Sequence, residues 1–263
     1  MNVVEIFKSI DGEGIRTGAP TIFIRFAGCN LRCEYCDTSY AMNGYQRDVK
    51  YSTLEAIVDE VVKYSVPNTP THDGVSINVN NITITGGEPL LHVKDIISIL
   101  EALNNTAFAY SVNIETNGSI DPAEFINLYN QTAFCMCRYN NLFFTFDIKT
   151  DSAGEYEKDV CIDLNTKKPK AFNNIDCISN YSVTHNVMKA VVGSESELEY
   201  VRSVYNQLTR EEQLKFVWFI SPVFGKIEPS TIVDFILKYP ELNDWRVQVQ
   251  LHKIIWDPNK RGV

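Results

Sequence analysis

The feature that most constrains the fold is the regular alternation of strand and helix patterns along the chain. Runs rich in β-branched and aromatic residues occur at 21–26, 81–85, 109–115, 142–148, 187–191, 216–220 and 245–250. Helical patterns lie between them, at 52–64, at 93–103, from 121 onward, at 195–208 and at 232–238. Because parallel strands need a crossover connection, usually a helix, this order predicts an α/β fold with a parallel sheet.

Two of the helix starts have capping signals. Ser52-x-x-Glu55 predicts a capping box for the helix at 52–64. Ser194 is the expected N-cap of the helix at 195–208, since serine accepts a hydrogen bond from the first helical turn.

The chain length of 263 residues suits one domain with a full core. Two polar stretches with weak periodicity, near 65–80 and 151–181, are predicted to be irregular insertions. We therefore expect a single domain over 1–263 with two excursions from its core.

Charge, apolar runs and cysteine content limit the partners and the compartment that can be expected. A formal net charge of −9 argues against nucleic-acid binding, which requires a basic surface. No apolar run has membrane-spanning length, and the N-terminal residues lack the pattern of a signal peptide, so we expect a cytoplasmic protein without membrane contact. Three of the seven cysteines fall within eight residues, which in a reducing compartment indicates metal ligation rather than disulfides.

Residues that could bind a metal, a cofactor or a substrate follow the strands directly. They are the cysteines after 21–26, Gly86-Gly87-Glu88-Pro89, Glu115-Thr116-Asn117 and Asp147-Ile148-Lys149. In parallel α/β folds the carboxyl ends of the strands meet at one edge, where sites assemble. The sequence therefore predicts one site at that edge.

The cysteine loop has the spacing C-x3-C-x2-C, with Cys29, Cys33 and Cys36. Thiolates are the usual ligands of iron–sulfur clusters, and three of them leave one iron of a cubane open to a small molecule. A zinc loop completed by a distant cysteine or histidine, or three unrelated thiols, are the alternatives; structural zinc normally has four protein ligands.

At these residues the chain resembles the radical S-adenosylmethionine (SAM) superfamily. The resemblance covers the cysteine loop and Gly86-Gly87-Glu88-Pro89, which is similar to the superfamily's motif for the SAM amino group. It implies a [4Fe–4S] cluster on Cys29, Cys33 and Cys36, SAM on its open iron, and a deoxyadenosyl radical produced by reductive cleavage. It also implies a partial, TIM-like barrel of about six parallel strands with outer helices.

A narrower resemblance is to the 7-carboxy-7-deazaguanine synthase family. It is dense over 5–41 and 82–91, thinner at 114–118 and 145–150, and returns in Gln250-Leu251-His252-Lys253 and Lys260-Arg261-Gly262-Val263. It implies ring contraction of 6-carboxy-5,6,7,8-tetrahydropterin to 7-carboxy-7-deazaguanine with loss of ammonia, in 7-deazapurine (queuosine precursor) biosynthesis. SAM would be regenerated, and Mg²⁺ would be held partly by Thr38, whose hydroxyl oxygen suits a hard cation. The family usually has Gln where this chain has Asp11.

The same resemblance implies roles for individual residues. The expected SAM contacts are Tyr35, Cys36, Asp37, Gly87, Glu88, Asp147, Lys149 and Ser221. The expected substrate contacts are Ile10, Asp11, Gly12, Glu13, Arg25, Thr85 and the carboxylate of Val263. Arg25 offers a bidentate fork for the substrate carboxylate, and a surface ion pair is its alternative role. For Asp147 and Lys149 the alternative is a simple strand-end ion pair.

The family further implies a homodimer and an electron donor such as flavodoxin or ferredoxin. A second enzyme hypothesis is an activase that installs a glycyl radical on a partner protein, and a third is a non-catalytic zinc or iron–sulfur module. Cys135, Cys137, Cys161 and Cys177 suggest an auxiliary cluster, but their loose spacing favours ordinary thiols.

Overall fold

One sheet of eight strands organises the described part of the chain, and its strand order follows the sequence order. The computed structural model describes residues 1–42, 49–66, 78–137, 141–154, 160–174, 186–258 and 260–263. The strands are β1 (Val3–Ile10), β2 (Pro20–Phe26), β3 (Asn81–Gly86), β4 (Ser111–Thr116), β5 (Asn141–Ile148), β6 (Asn186–Val192), β7 (Phe216–Pro222) and β8 (Trp245–Val247). β1 pairs antiparallel with β2, and all later neighbours are parallel. Within the described ranges β1 and β8 remain the two edges, so the barrel is partial, as predicted.

Helices cover the outer face of this sheet. Those in the described ranges are α1 (Leu54–Ser65), α2 (Val93–Asn104), α3 (Ala123–Tyr129), α4 (Ala133–Met136), α5 (Glu195–Tyr205), α6 (Arg210–Leu214), α7 (Pro229–Lys238) and α8 (Leu251–Ile255). Their apolar sides pack on outward-facing strand residues such as Ile84, Phe146 and Trp218, which are almost fully buried. Burial of this apolar face is the main favourable term in folding. No helix in these ranges is long and apolar enough to cross a membrane.

The structure differs from the sequence-based expectation at three places. The pattern predicts no strand at β1, because Glu5 and Lys8 interrupt its apolar residues; the segment is a strand because it pairs with β2. The last strand ends at Val247 instead of 250, since the Gln248 side chain accepts a hydrogen bond from Gly14 N (2.8 Å), and α8 begins at Leu251. α1 is capped by Thr53, whose hydroxyl accepts from Ala56 N, rather than by Ser52. Ser194 caps α5 as predicted.

The two expected insertions are only partly described. Residues 67–77, 155–159 and 175–185 lie outside the described residues. The part at 160–174 has no strand or α-helix but ends in a 3-10 helix, Lys170–Asn174, and Cys161, Ala171 and Phe172 are buried against the core.

The inner face of the sheet is polar, and a buried ion pair closes its amino-terminal end. Arg16 Nε lies 3.0 Å from Asp11 Oδ2, and both side chains are nearly inaccessible. The other guanidinium nitrogens of Arg16 donate to the carbonyl oxygens of Ser111 (2.8 Å) and Ile82 (3.0 Å). Asp11 also accepts from the hydroxyls of Thr21 and Thr83. Arg16 and Asp11 thereby tie the starts of β2, β3 and β4 together.

We predict that Arg16→Met lowers the free energy of unfolding by about 3–5 kcal/mol, because it leaves the buried Asp11 carboxylate unpaired. Guanidinium chloride unfolding under anaerobic conditions measures this loss. Arg210→Met is the matched control, since Arg210 pairs with Asp244 at the exposed surface and its loss should cost less than about 1 kcal/mol. Equal losses in the two variants would contradict the role assigned to Arg16.

Candidate functional site

Two adjoining cavities open at the carboxyl ends of the parallel strands. The larger, here the thiol cavity, has a volume of about 630 Å³ and is lined by the three loop cysteines, by Gly86 and Gly87, and by Asp147 and Lys149. The smaller, here the tail cavity, measures about 380 Å³ and is lined by Ile10, Gly12, Glu13, Arg25 and the C-terminal residues 260–263. Both volumes fall in the range of small-molecule pockets. Residues common to both linings are Cys36, Asp37, Thr38, Thr85, Glu115 and Pro258.

The cysteine loop is fastened at its base and along its length. Gly28 N and Cys29 N donate to the carbonyl oxygens of Ala41 (2.7 Å) and Met42 (3.1 Å), so the loop after β2 closes on itself. Two donors, Leu31 N (3.4 Å) and Asn117 Nδ2 (3.7 Å), point at Cys29 Sγ. Donors aimed at sulfur suit a thiolate that ligates iron.

The three thiols fit a cluster better than a single ion. In the described part of the chain no three His, Cys, Asp or Glu side chains converge closely enough to hold one metal ion. Zinc requires all its sulfurs about 2.3 Å from one point, whereas a cubane takes each thiolate on a different iron. Cys29, Cys33 and Cys36 are all half-buried and face one cavity, which favours the cluster.

Gly87 lets β3 approach the cysteine loop closely. A Cβ at this position would lie 2.0 Å from Gly28 O and 2.9 Å from Cys29 N, both backbone atoms. The backbone is tied there too, because Glu88 N donates to Gly28 O (2.8 Å) and Gly87 N to Phe26 O (3.0 Å). Gly87 is thus required by backbone packing, and so is Gly86, whose Cβ would lie 2.2 Å from Phe26 O.

Glu88 was expected to contact SAM, and the structure places its carboxylate behind the cavity wall. It is fully buried and accepts hydrogen bonds from Leu90 N (2.8 Å), Thr116 Oγ1 (2.8 Å) and Asn117 N (2.7 Å). Burial raises its pKa to about 7 despite these donors. Glu88 thereby joins the ends of β3 and β4 and fixes Asn117 beside Cys29.

Charged side chains fill the inner face between the two cavities. Lys189 Nζ lies 3.2 Å from Glu13 Oε2 and 3.5 Å from Asp147 Oδ1, and Lys149 Nζ lies 2.8 Å from Asp147 Oδ2. Burial alone would raise the pKa of Asp147, but Lys149 and Lys189 outweigh it and hold that pKa below its usual value. Burial would lower the pKa of Lys189, yet its acidic neighbours raise it. Asp147, Lys149 and Lys189 are therefore ionised together.

Glu115 completes this set and was not assigned a role from the sequence. It lines both cavities, and the described residues donate no hydrogen bond to its carboxylate. Burial, offset in part by Lys189, raises its pKa to about 7. Glu115 is thus a carboxyl group whose charged form burial disfavours on balance, whereas the lysines stabilise the charged form of Asp147. Its position at the end of a buried strand, among the other polar residues that follow strands, is the sequence signal for its place in the site.

The remaining predicted residues divide between the cavities and the structure behind them. Tyr35, Cys36, Asp37, Gly87, Asp147 and Lys149 line the thiol cavity, as does Thr38, which also lines the tail cavity. Ile10, Gly12, Glu13, Arg25, Thr85 and Val263 line the tail cavity. Ser221 is buried and donates to Glu13 Oε1 (3.2 Å), and Asp11 lies deeper, paired with Arg16. The Asp11 carboxylate thus serves the fold, where a neutral Gln would leave Arg16 without a counter-charge.

The C-terminal segment forms one wall of the tail cavity. Leu251 N donates to Gly12 O (3.2 Å), and His252 and Lys253 lie 3.5 and 3.7 Å from Asp37 Oδ2. Burial would raise the pKa of Asp37, but the hydrogen bond from His252 and the charge of Lys253 lower it. α8 therefore connects the loop after β1 with the end of the cysteine loop.

The additional cysteines do not gather into a second site among the described residues. Cys161 is buried, and its sulfur accepts from Lys149 N (3.4 Å). Cys135 and Cys137 are half-buried at α4, and Cys177 lies outside the described residues.

The family model of the radical SAM superfamily matches residues 23–140, a range that contains the three-cysteine loop, β3 and β4. A 7-carboxy-7-deazaguanine synthase of Clostridium acetobutylicum is 38% identical over 99% of this chain and 98% of its own. One of Methanospirillum hungatei is 33% identical over 98% and 86%. The crystal structure of QueE from Escherichia coli covers 95% of this chain and 93% of its own with a TM-score of 0.59 and 21% identity, a likeness of fold.

The chain therefore belongs to the 7-carboxy-7-deazaguanine synthase family of radical SAM enzymes.

We predict that Gly87→Ala yields folded protein that incorporates far less iron, because the added Cβ displaces the backbone of Gly28 and Cys29. Iron and sulfide analysis after anaerobic reconstitution, with visible absorbance, measures the effect against about four irons per cluster in the parent. Gly18→Ala is the control: its Cβ meets nothing within 4 Å in the turn between β1 and β2, and the strain of an alanine at its φ of +85° should lower stability without touching the cysteine loop, so iron loading should stay complete. Full iron loading of Gly87→Ala would show that this close approach is dispensable.

Proposed function

We propose that this chain converts 6-carboxy-5,6,7,8-tetrahydropterin to 7-carboxy-7-deazaguanine with loss of ammonia, in 7-deazapurine (queuosine precursor) biosynthesis. The observation that supports it best is the junction of the two cavities. There the cysteine loop adjoins a pocket lined by the Arg25 guanidinium, whose terminal nitrogens have no hydrogen-bond partner among the described residues. Relatives named for this activity match nearly the whole chain. The glycyl-radical activase and the metal-binding module have no comparable support.

The residues divide the work between cofactor and substrate. Cys29, Cys33 and Cys36 would hold the cluster, and the wall formed by Tyr35, Gly87, Asp147 and Lys149 would bind SAM. When bound, the cluster and SAM would supply the radical chemistry that begins at the carboxylate-bearing carbon of the substrate.

Arg25 would bind the substrate carboxylate at the junction. Within the described ranges, only its Nε is engaged in a hydrogen bond, with Glu5 Oε1 at 2.7 Å. The two terminal nitrogens remain available in the tail cavity, and a guanidinium fork matches a carboxylate. Thr38, which lines both cavities beside Cys36, would contribute one oxygen ligand to Mg²⁺.

Glu115 would exchange a proton during ring contraction. Loss of ammonia requires proton transfer to nitrogen, and a group with a pKa of about 7 is suited to give and take protons near neutral pH. Lys189 and Asp147 keep their charges, so they would orient the bound ligands instead of exchanging protons.

We also propose a homodimer in the cytoplasm, reduced by flavodoxin or ferredoxin, without nucleic-acid or membrane partners. These follow from family resemblance and from the acidic composition.

The direct test incubates the reconstituted, reduced enzyme with SAM and 6-carboxy-5,6,7,8-tetrahydropterin. We expect 7-carboxy-7-deazaguanine and ammonia in equal amounts, with SAM not consumed in proportion to product. Mass spectrometry and ammonia assay follow the reaction. An intact cluster that cleaves SAM without forming a deazapurine would overturn the proposal.

We predict that Glu115→Gln lowers kcat by about 10²–10⁴-fold, since the amide cannot exchange a proton. The kcat–pH profile should lose an ionisation near 7, and Glu115→Asp should restore part of the rate. Folding stability supplies an independent measurement. A carboxyl group whose pKa is raised from 4.5 to about 7 on folding reduces stability as the pH rises through that window, and Glu115→Gln should remove this dependence. A Glu115→Gln variant whose kcat equals that of the parent at every pH from 6 to 8 would exclude this role.

A further inference from the structure

We propose that Tyr40 and Glu5 are positioning residues for Arg25: together they hold its Nε so that the terminal nitrogens face the tail cavity and accept the substrate carboxylate. This inference rests on the function proposed above and assigns a task to two side chains that the sequence left without one.

The three side chains meet at one oxygen atom. Glu5 and Arg25 are register partners across β1 and β2, and Glu5 Oε1 lies 2.7 Å from Arg25 Nε. Tyr40, just beyond the cysteine loop, donates its hydroxyl to the same Oε1 at 2.6 Å. The Arg25 and Glu5 side chains are only 13% and 15% exposed and Tyr40 is half-buried, so these charge-assisted bonds are only weakly screened.

Tyr40 restricts the way in which Glu5 can bind Arg25. A carboxylate beside a guanidinium favours the bidentate arrangement, which would occupy a terminal nitrogen as well as Nε. The Tyr40 hydroxyl and Arg25 Nε share Oε1, so Tyr40 fixes the rotation of the Glu5 carboxylate in the arrangement in which Glu5 engages Nε alone. The fork that remains is the part of Arg25 that can bind a second carboxylate.

The ring of Phe7, over which the Arg25 guanidinium lies, also limits the motion of Arg25. The Arg25 guanidinium carbon lies 5.7 Å from the centre of the Phe7 ring, and Phe7 stacks on Phe23 with ring centres 4.9 Å apart. A guanidinium held over a ring and by one hydrogen bond has few alternative rotamers, so less entropy is lost when a ligand binds.

Tyr40 also connects Arg25 with the C-terminal wall. The Arg261 guanidinium carbon lies 4.1 Å from the centre of the Tyr40 ring, and Arg261, Gly262 and Val263 line the tail cavity. The Tyr40 hydroxyl therefore orients Arg25, while the Tyr40 ring contacts Arg261 in the C-terminal segment that lines the tail cavity.

The test compares two ligands on the holoenzyme. Anaerobic, SAM-bound enzyme is titrated with 6-carboxy-5,6,7,8-tetrahydropterin and with the tetrahydropterin that lacks the carboxylate. For Tyr40→Phe, which keeps the ring beneath Arg261, we expect about tenfold weaker binding of the carboxylated ligand, the size of one lost charge-assisted hydrogen bond. Binding of the ligand without a carboxylate should be unchanged.

Tyr239→Phe is the matched control. The Tyr239 hydroxyl donates to Glu199 (2.8 Å) and an arginine, Arg202, lies 3.6 Å over its ring, but it sits at the end of α7. This variant should bind both ligands as the parent does. Glu5→Gln keeps the shape of the side chain and should reproduce the selective loss, so the inference can be tested even if Tyr40→Phe fails to fold.

Two results would overturn the inference: equal weakening of both ligands in Tyr40→Phe and Glu5→Gln, or no weakening of either. The parent enzyme separates this failure from that of the function. If the parent forms no deazapurine, the proposed function is wrong; if it does and the variants show no selectivity, only the positioning role is wrong.

Discussion

Lys189 lies between Glu13 and Asp147 on the inner face of the sheet, and the arrangement of the whole site depends on this group of charges. Glu13 belongs to the loop after β1, Asp147 to β5 and Lys189 to β6, so their attraction joins segments far apart in the sequence. An unpaired charge in such a place would be strongly destabilising, and the pairing fixes the loop after β1 against the centre of the sheet. Glu115 lies in the same layer, and burial raises the pKa of its carboxyl group to about 7.

A second constraint is the close contact between β3 and the cysteine loop. Gly87 packs directly on the backbone of Gly28 and Cys29, and Glu88 joins the ends of β3 and β4. Glu88 thus serves the cofactor side of the site through Asn117, which donates to Cys29 Sγ. The short Gly87-Glu88 motif therefore positions the cysteine loop, the end of β3 and Asn117, the donor to sulfur.

The polar residues inside the sheet are organised from one end to the other. Arg16 and Asp11 close the amino-terminal end, where they bind strand carbonyls and have a structural role. At the carboxyl end Arg25, Glu115 and Thr38 face the cavities. Side chains with similar chemistry therefore have different roles, and their depth within the half-barrel decides which.

The sequence alone determined the α/β class, the core strands, the ligand loop and the family, because strand and helix periods and cysteine spacing are local properties. It did not reveal β1, the early end of β8 or the burial of Asp11, Glu88 and Ser221 behind the cavity walls. Only the tertiary structure showed that Glu115 shares a charged layer with Lys189, and that Glu5, Tyr40 and Arg25 meet at one oxygen. Pairing across strands and burial of charge depend on residues distant in sequence, and a single chain's pattern does not encode those distances locally.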